Sequence, residues 1–329
     1  MQPAFKLTVS GTDITSVVAD RLISLSITDE AGVKSDRLEL VLDDRDQRLA
    51  IPPTKAVITA SIGYSDQLVS KGQFTVEEVE LAGPDRTMTI RANATGASKG
   101  AGAAKERSWD DTTLGKIARS IAGKHGWTPA ISPDLDNIKI DHIDQHENDL
   151  QFLVRLAADN GAVAKVSHSK LVIAPHAEGK TVSGKALPTI TLNGSDVSEW
   201  SMTLAERGGY SGVKAMYHDV KGGERGEAIA GEDAENTTTL PHTYASKAAA
   251  ERAAKSRKNS MARGKATFEF RMPGDPTLEA EVTVNATGFR AGVDGQWTLV
   301  RVTHNLSATG YSCSGSCEVP GSGKSSRNE

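Results

Sequence analysis

The sequence predicts a mainly β protein with an α+β insert, and three observations support this fold class. Segments near both ends of the chain alternate apolar and polar residues, which is the period of a strand with one wet face. The middle of the chain changes to helical spacing. Two distant stretches, GQFTVEEVEL from Gly72 and GQWTLVRVTH from Gly295, spell nearly the same strand. We therefore predict two antiparallel β-barrels that arose by internal duplication, with a small α/β module between them.

The first predicted barrel covers residues 1–96 and contains at least five strands. Leu25 and Ile27 alternate with polar residues in RLISLSITDE, and Leu38, Leu40 and Leu42 do so in DRLELVLDD. KAVITASIGY, GQFTVEEVEL and RTMTIRANAT follow, separated by turn-forming residues. A small barrel would bury the apolar face of all these strands.

The predicted α/β module covers residues 97–186. GASKGAGAAKERS at its start has the composition of a flexible linker. SWDDTTLGKIARSIAGKHG predicts a helix with Ser108 as a candidate N-cap. NDLQFLVRLAADNG predicts a second helix that begins near Asn148 or Asp149 and ends at Gly161. AVAKVS and KLVIAP then predict a short hairpin.

The second predicted barrel covers residues 187–320, and a polar tail follows at 321–329. An ungapped match at an offset of 175 residues aligns Leu25–Asp44 with Trp200–Asp219. The matched pairs are Leu25 with Trp200, Ile27 with Met202, Leu40 with Ala215, Leu42 with Tyr217, Gly63 with Gly288 and Phe74 with Trp297. The offset then rises, so the second copy has an insertion at about 220–264, predicted as a polar loop and a helix.

Composition limits the classes of function. The chain has 329 residues and a formal net charge of −4, so it offers no basic footprint for nucleic acid. It contains no charged-then-apolar leader and no apolar run of membrane length, so we expect cytosolic synthesis and no membrane anchor. Cys313 and Cys317 are predicted to be free thiols, because four residues of one extended strand separate them too far for a disulfide.

Two acidic or histidine-rich stretches could imitate ion sites. His142, Asp144 and His146 would share one strand face next to Glu147, but no further Cys or His cluster supports a metal site. A polar strand end before a helix explains them better. Asp43, Asp44 and Asp46 lack the Gly and Glu of a calcium loop. No nucleophile, zinc or phosphate-loop motif occurs, so we predict no catalytic, cofactor-binding or metal-ligating residue, no cofactor and no enzyme activity.

Several motifs together resemble the late control protein D family, the baseplate hub proteins of contractile phage tails and phage-tail-like bacteriocins. They are SLSITDEAGVKSDRLELVLDDRD, GQFTVEEVELAGPDRTMTIRA, RSWDDTTLGKIA and HIDQHENDLQFLVRLAADNGAVAKV. The resemblance runs from about residue 5 to 319. The family is related to the N-terminal part of type VI secretion VgrG spike proteins.

The resemblance implies a homotrimer whose two tail-tube-like barrels per chain form a pseudo-sixfold ring. Such a ring would join a sixfold tail tube to a threefold spike, and a duplicated surface is what this adaptor requires. Because the chain ends at GSGKSSRNE, we expect a separate trimeric spike protein, besides tube and baseplate partners. The protein would be made in the bacterial host cytoplasm and become part of the virion or particle. DNA-injecting phages and headless bacteriocins remain equal alternatives.

Two other functions are open to the sequence. DDTTLGKIARSIAGKHGW is similar to the first helix of peptidoglycan-binding LysM domains, although Leu114, Ile117, Ala118 and Ile121 could equally be core positions. Wall binding is therefore the alternative function. The basic helix SKAAAERAAKSRKNSMARG lacks aromatic residues, so we expect it to be solvated or subunit-facing and predict no specific nucleic-acid binding.

Overall fold

A computed structural model describes residues 2–32, 35–95, 102–167, 169–176, 182, 187–205, 210–219, 222–231, 236–264 and 266–320. Within these residues the chain forms 21 strands and five α-helices, so the predicted mainly β class is confirmed. Thirteen of the strands belong to one continuous sheet, which we call the main sheet.

The first half of the main sheet follows the predicted alternation. Its elements are β1 (Pro3–Val9), β2 (Thr12–Asp13), α1 (Thr15–Ala19), β3 (Leu22–Glu30), β4 (Arg37–Asp43), β5 (Val57–Tyr64), β6 (Gln67–Ala82) and β7 (Thr87–Ala94). They pair in the order β2-β1-β5-β6-β7-β4-β3. The predicted inward residues Leu25, Ile27, Leu38, Leu40 and Leu42 are all buried.

The α/β module has its own core. Its elements are β8 (Arg107–Thr113), α2 (Leu114–His125), β9 (Thr128–Ile131), α3 (Pro133–Asp136), β10 (Lys139–Gln145), α4 (Asp149–Asp159), β11 (Ala162–Ser167) and β12 (Lys170–Pro175). β8 and β10 form an antiparallel pair, and β9, β12 and β11 form a second sheet. Leu114, Ile117, Ala118 and Ile121 of α2 are fully buried in this core.

Local signals predicted one helix start of the module correctly and the other wrongly. Asn148 caps α4 by accepting a hydrogen bond from the Gln151 amide at 2.9 Å, as its position predicts. Ser108 does not cap α2, because residues 107–113 are held in strand β8 by pairing with β10. Thr113 caps the helix instead, with its side chain accepting from the Lys116 amide.

The second half of the main sheet is interrupted by a small α/β unit. The elements are β13 (Thr189–Asn193), β14 (Glu199–Leu204), β15 (Gly212–Asp219), β16 (Glu224–Gly231), β17 (Thr237–Tyr244), α5 (Lys247–Arg263), β18 (Ala266–Pro273), β19 (Thr283–Thr287), β20 (Gly295–Ser307) and β21 (Gly310–Glu318). β16, β15 and β17 form a separate sheet on which α5 packs. The expected polar loop is thus partly a strand, because residues 224–231 pair with β15 along their whole length. Residues 232–235 of that loop lie outside the described residues.

The two halves of the main sheet repeat the same strand order. The sheet order is β1-β5-β6-β7-β4-β3 in the first half and β13-β19-β20-β21-β18-β14 in the second. In each half the six strands, numbered by their order in the sequence, therefore take the same positions in the sheet. One pairing differs: β1 is antiparallel to β5, whereas β13 is parallel to β19. The second half joins the first through pairing of β20 with β3.

The register repeats as well. Leu25 faces Leu40 across the first half, and Trp200 faces Phe270 across the second. The predicted match of Leu25 with Trp200 therefore agrees with the sheet, but the match of Leu40 with Ala215 is wrong. Ala215 lies in the inserted sheet, because the insertion begins directly after β14 and not after Asp219 as the ungapped alignment required.

The repeated GQ-aromatic-T strand occupies equivalent places. Phe74 of β6 faces Ile58 of β5, and Trp297 of β20 faces Val284 of β19, with both rings buried. Each strand also carries a register shift just after the aromatic residue, between residues 76 and 78 in β6 and between 299 and 301 in β20. Bulges are specific features of a strand, so their matching positions support the internal match.

The two halves share one hydrophobic core, which contains both Phe74 and Trp297. The hydrogen-bonded pairs of the described strands join β3, an edge of the first half, to residues 301–307 of β20, and they close neither half into a barrel. Closed barrels and an origin by duplication therefore stay predictions.

Candidate functional site

The main sheet has two unlike faces. In β21, Cys313 and Cys317 are buried on one face, whereas Ser312, Ser314 and Ser316 lie half-buried on the other. Residues directly opposite across paired strands share a face. This polar face continues across the sheet through Ser24, Ser26, Thr28, Thr87, Thr89, Thr303 and Ser314. It is a wide surface of small hydroxyl groups that binds water well.

Charged residues on the polar face are arranged in mixed clusters. Arg91 lies 3.1 Å from Glu39, 3.0 Å from Glu78 and 2.9 Å from Glu80, and all four side chains are well exposed. Exposed ion pairs of this kind add little to stability. Their effect is to give this part of the face an excess of negative charge, since three carboxylates surround one guanidinium.

The main sheet has several free edges within the described residues: β13 pairs only with β19, and residues 78–82 of β6 pair only with β7. β14 pairs only with β18 at one end, and at the other end β1 pairs outward only through Thr8 and Val9 with the short β2. β14 exposes 71% of Leu204 and 42% of Trp200. Unpaired backbone groups beside exposed apolar side chains are a template for adding another strand.

The DEAGVKSD motif forms a buried junction between three parts of the chain. Nζ of Lys165, from the module, donates to Asp29 Oδ1 at 3.2 Å, to Asp36 Oδ1 at 2.6 Å and to the Glu30 carbonyl at 2.6 Å. Asp29 Oδ2 also accepts from the Ala280 amide of the second half at 2.8 Å. Burial and the neighbouring Asp29 carboxylate raise the pKa of Asp36 to about 6, although Lys165 acts in the opposite direction.

A second set of contacts fixes the segment between β18 and β19 on the first half. Tyr64 Oη donates to the Gly274 carbonyl at 2.7 Å, and Lys71 Nζ donates to the Leu278 carbonyl at 3.0 Å. Burial lowers the pKa of Lys71. These side chains make the two halves one rigid unit, in addition to the β3–β20 pairing.

The buried carboxylate of Asp149 binds side chains from several elements at the start of the module. Asp149 Oδ1 accepts from Arg107 at 2.8 Å and from Gln145 at 2.9 Å, and its Oδ2 lies 2.8 Å from His125 Nε2 and pairs with Lys105. The pKa of Asp149 is lowered: burial opposes the shift, but these hydrogen bonds outweigh it. The sequence prediction missed this cluster, whose only local signal is the spacing of Gln145 and Asp149 in HIDQHEND.

The histidine-rich stretch places His142 between two carboxylates. His142 Nδ1 lies 2.6 Å from Asp110 and its Nε2 lies 3.4 Å from Asp144, on the surface of β10. The hydrogen bond with Asp110 raises the pKa of His142. No group of three or more His, Cys, Asp and Glu among the described residues could hold a metal ion. His142 is thus a surface histidine between two carboxylates.

The carboxylates of the acidic turn after β4 are paired with arginine side chains and a backbone amide. Arg21 binds both carboxylate oxygens of Asp46 at 2.7 Å, and Arg45 pairs with Asp43. Asp44 accepts from the Leu49 amide at 3.1 Å. These carboxylates stabilise a turn.

Both cysteines are free and buried. Cys313 Sγ lies 3.2 Å from His304 Nδ1, which is also 2.7 Å from Tyr311 Oη. Burial lowers the pKa of His304 to about 4, and burial raises the pKa of Cys313. A neutral imidazole and a protonated, inaccessible thiol form a satisfied polar core and not a nucleophilic pair.

Comparison with known proteins gives the family. The sequence profile described as Phage tail baseplate hub (GPD) matches residues 37–310. The chain belongs to this baseplate hub family. It is 34% identical to the probable baseplate hub protein of Escherichia phage P2, over 97% of this chain and 94% of that protein. It is also 34% identical to the corresponding protein of Escherichia phage 186, over 97% and 93%.

Solved structures share the fold. The 43 kDa tail protein of prophage MuSo2 from Shewanella oneidensis is similar with a TM-score of 0.72 and 17% identity, over 97% of this chain and 99% of that one. A tail protein from Neisseria meningitidis also has a TM-score of 0.72, with 13% identity and 97% coverage of both chains. A type VI secretion component from E. coli has a TM-score of 0.60 and 12% identity, over 97% of this chain and 77% of that one.

The family drawn from the sequence motifs is therefore confirmed. The protein is a baseplate hub protein of a phage-type tail and a baseplate component of the virion. No helix in the described part of the chain is both long and apolar enough to span a membrane.

Proposed function

We propose that this hub works as a homotrimeric adaptor between a sixfold tail tube and a threefold spike. The observation that carries the proposal is the repeated strand order and register within one continuous sheet. Three chains would present six similar units, and only a repeated surface allows a trimer to match sixfold symmetry. The rigid contacts between the halves support the same role, because six units must keep a fixed spacing.

The ring forms by contact between free sheet edges. The β14 edge of one copy meets residues 78–82 of β6 in the next copy, which is the contact equivalent to the pairing of β3 with β20 within one chain. This contact removes unpaired backbone groups and covers Trp200 and Leu204. The polar face then lines the channel, where small hydroxyl groups hold water and offer few apolar contacts to a passing molecule. The α/β module and the β15–α5 unit lie off this ring, at its periphery or on its spike-facing side.

The role is structural, and no catalytic residue takes part. The partners are the tail tube protein, a separate trimeric spike protein and other baseplate components. The chain is made in the cytoplasm of the bacterial host and then enters the particle. It binds no specific nucleic acid.

The stoichiometry with the spike tests this proposal. The purified protein is mixed with its spike protein and the mass of the complex is measured by light scattering and native mass spectrometry. We expect a three-to-three complex. A stable complex with two copies of the hub would refute the adaptor role.

Peptidoglycan binding is the second candidate, and the order of elements in the module favours it. β8 and β10 form an antiparallel pair, and the chain between them forms α2, the short strand β9 and the four-residue helix α3. Sedimentation with purified peptidoglycan is the direct test. A pure hub stays in the supernatant, whereas a wall-binding module carries the protein into the pellet.

A further inference from the structure

A deep cleft lies where the module, the β15–α5 unit and both halves of the main sheet meet. Its volume is about 930 Å³, within the usual range for binding pockets. The cleft is lined by residues 30–32, His176 after β12, residues 238–242 of β17, the C-terminal half of α5, the middle of β20 and the end of β21. The cleft lies outside the polar face and the two sheet edges, so the inference below does not depend on the adaptor proposal.

The arginines of the cleft differ in whether they have a partner. Arg155 pairs with Glu147 at 2.6 Å, and Arg301 pairs with Glu30 at 2.8 Å. Arg263, the last residue of α5, has a buried Nε that makes no hydrogen bond within the described residues. Burial lowers the pKa of Arg263, and the nearby Glu318 carboxylate acts in the opposite direction but makes no hydrogen bond to the buried Nε. A buried nitrogen of this kind can still gain a hydrogen-bonding partner from a bound molecule.

The surroundings of Arg263 favour a single carboxylate over a phosphate chain. His176 lies in the same cleft, and burial together with Arg263 lowers its pKa to about 4, so it adds no charge at neutral pH. Asp159 and Glu318 also line the cleft and would repel a row of phosphates. Arg257 lines the cleft as well. The buried Nε of Arg263, which makes no hydrogen bond within the described residues, matches one carboxylate, which arginine binds with two parallel hydrogen bonds.

The neighbouring wall can hold an extended chain. In β17 the register shifts between Lys214 and Met216 of β15, so residues 240–242 leave the hydrogen-bonded ladder and line the cleft. Thr238 and Thr239 place hydroxyl groups in the same wall. Backbone and hydroxyl groups of this kind bind peptide segments without demanding a particular sequence.

We propose that this cleft binds an acidic segment of a partner polypeptide, and that Arg263 is the anchor for one Asp or Glu side chain of that segment. The partner would hold the module, the β15–α5 unit and the main sheet in one arrangement, because all of them contribute walls to the cleft.

The test uses the full-length protein and a fluorescein-labelled octapeptide of Thr with a single Glu at its centre, with fluorescence anisotropy as the readout. Arg263→Ala should weaken binding roughly tenfold to hundredfold, the effect of one lost charge-assisted hydrogen-bonded pair. Arg263→Lys should be intermediate, because lysine keeps the charge but loses the planar fork. Lys255→Ala is the matched control: it removes an exposed cation from the same helix and should leave affinity unchanged.

A second set of probes identifies the ligand class. The same octapeptide with Gln in place of Glu should bind at least tenfold more weakly than the acidic one. The proposal is wrong if wild-type protein does not bind the acidic peptide, if Arg263→Ala binds it as well as wild type does, or if the Gln peptide binds equally. It is also wrong if inorganic phosphate or a labelled oligothymidylate binds more tightly than the peptide, since the site would then be a phosphate site.

Discussion

Single buried carboxylates hold the distant parts of this chain together. Asp149 collects side chains from the linker, β8, α2 and β10, and Asp29 and Asp36 share Lys165 between the first half and the module. A buried charge is tolerated only when its partners are present. Asp149 and Asp36 should therefore respond in opposite directions to pH, because the pKa of Asp149 is lowered and that of Asp36 is raised.

Asp149→Asn should destabilise the module by about 3–5 kcal/mol, because it leaves Arg107 and Lys105 beside an uncharged, buried amide. The lowered pKa of Asp149 means that its contribution is present above the ordinary carboxyl pKa and is lost as pH falls below it. Urea unfolding at pH 7 measures the loss. Asp144→Asn, at a half-exposed carboxyl on the same motif, should change the free energy of unfolding by less than about 0.5 kcal/mol.

Asp36→Asn should have a pH-dependent effect. The folded-state pKa of Asp36, about 6, lies above its unfolded value, so its contribution is fully present below pH 4 and is lost as pH rises through 6. An amide does not titrate. The stability of the variant relative to wild type should therefore increase by on the order of 1–3 kcal/mol between pH 5 and pH 7.5. A constant difference across this range would show that Asp36 does not hold the proton.

At the scale of elements, the sequence predicted what is decided locally. The start of α4 at Asn148 and the inward residues of β3 depend on neighbours a few positions away, and both predictions were right. Ser108 was misjudged because pairing with β10, from more than 30 residues later, keeps it in a strand. The Asp149 cluster was missed for the same reason: Lys105 and His125 approach it only in the folded chain.

Phe74→Ala and Trp297→Ala should each cost about 3–5 kcal/mol, the usual penalty for removing a buried aromatic ring. Because both rings belong to one core, each variant should shift a single cooperative unfolding transition of the main sheet, followed by tryptophan fluorescence and circular dichroism in urea. Leu81→Ala, at a half-exposed position of β6, is the control and should have little effect. Separate transitions for the two halves would contradict a shared core.

For the whole molecule, the asymmetry lies in the insertions and the regularity lies in the main sheet. The main sheet repeats its strand order, whereas the module and the β15–α5 unit occur once each. A ring built from repeated units can match a sixfold neighbour, and unique units can contact only threefold or peripheral partners. The free edges at β14 and at residues 78–82 of β6 are the places where such a ring would close, because they correspond to β3 and β20, which join the two halves of one chain.

Leu204→Lys tests the edge contact with little effect on the single chain, because 71% of this side chain is exposed on β14. In the assembled ring the new ammonium group would be covered by β6 of the next copy, and burying an unpaired charge is costly. We expect the variant to keep the unfolding midpoint of wild type but to form at least about tenfold less three-to-three complex with the spike protein. Ile51→Lys makes the same change at a 59% exposed position in the loop between β4 and β5, outside the edge strands, and should assemble normally. If Leu204→Lys assembles as well as Ile51→Lys, while wild type still gives three-to-three complexes, the ring closes elsewhere and β14 is not its edge.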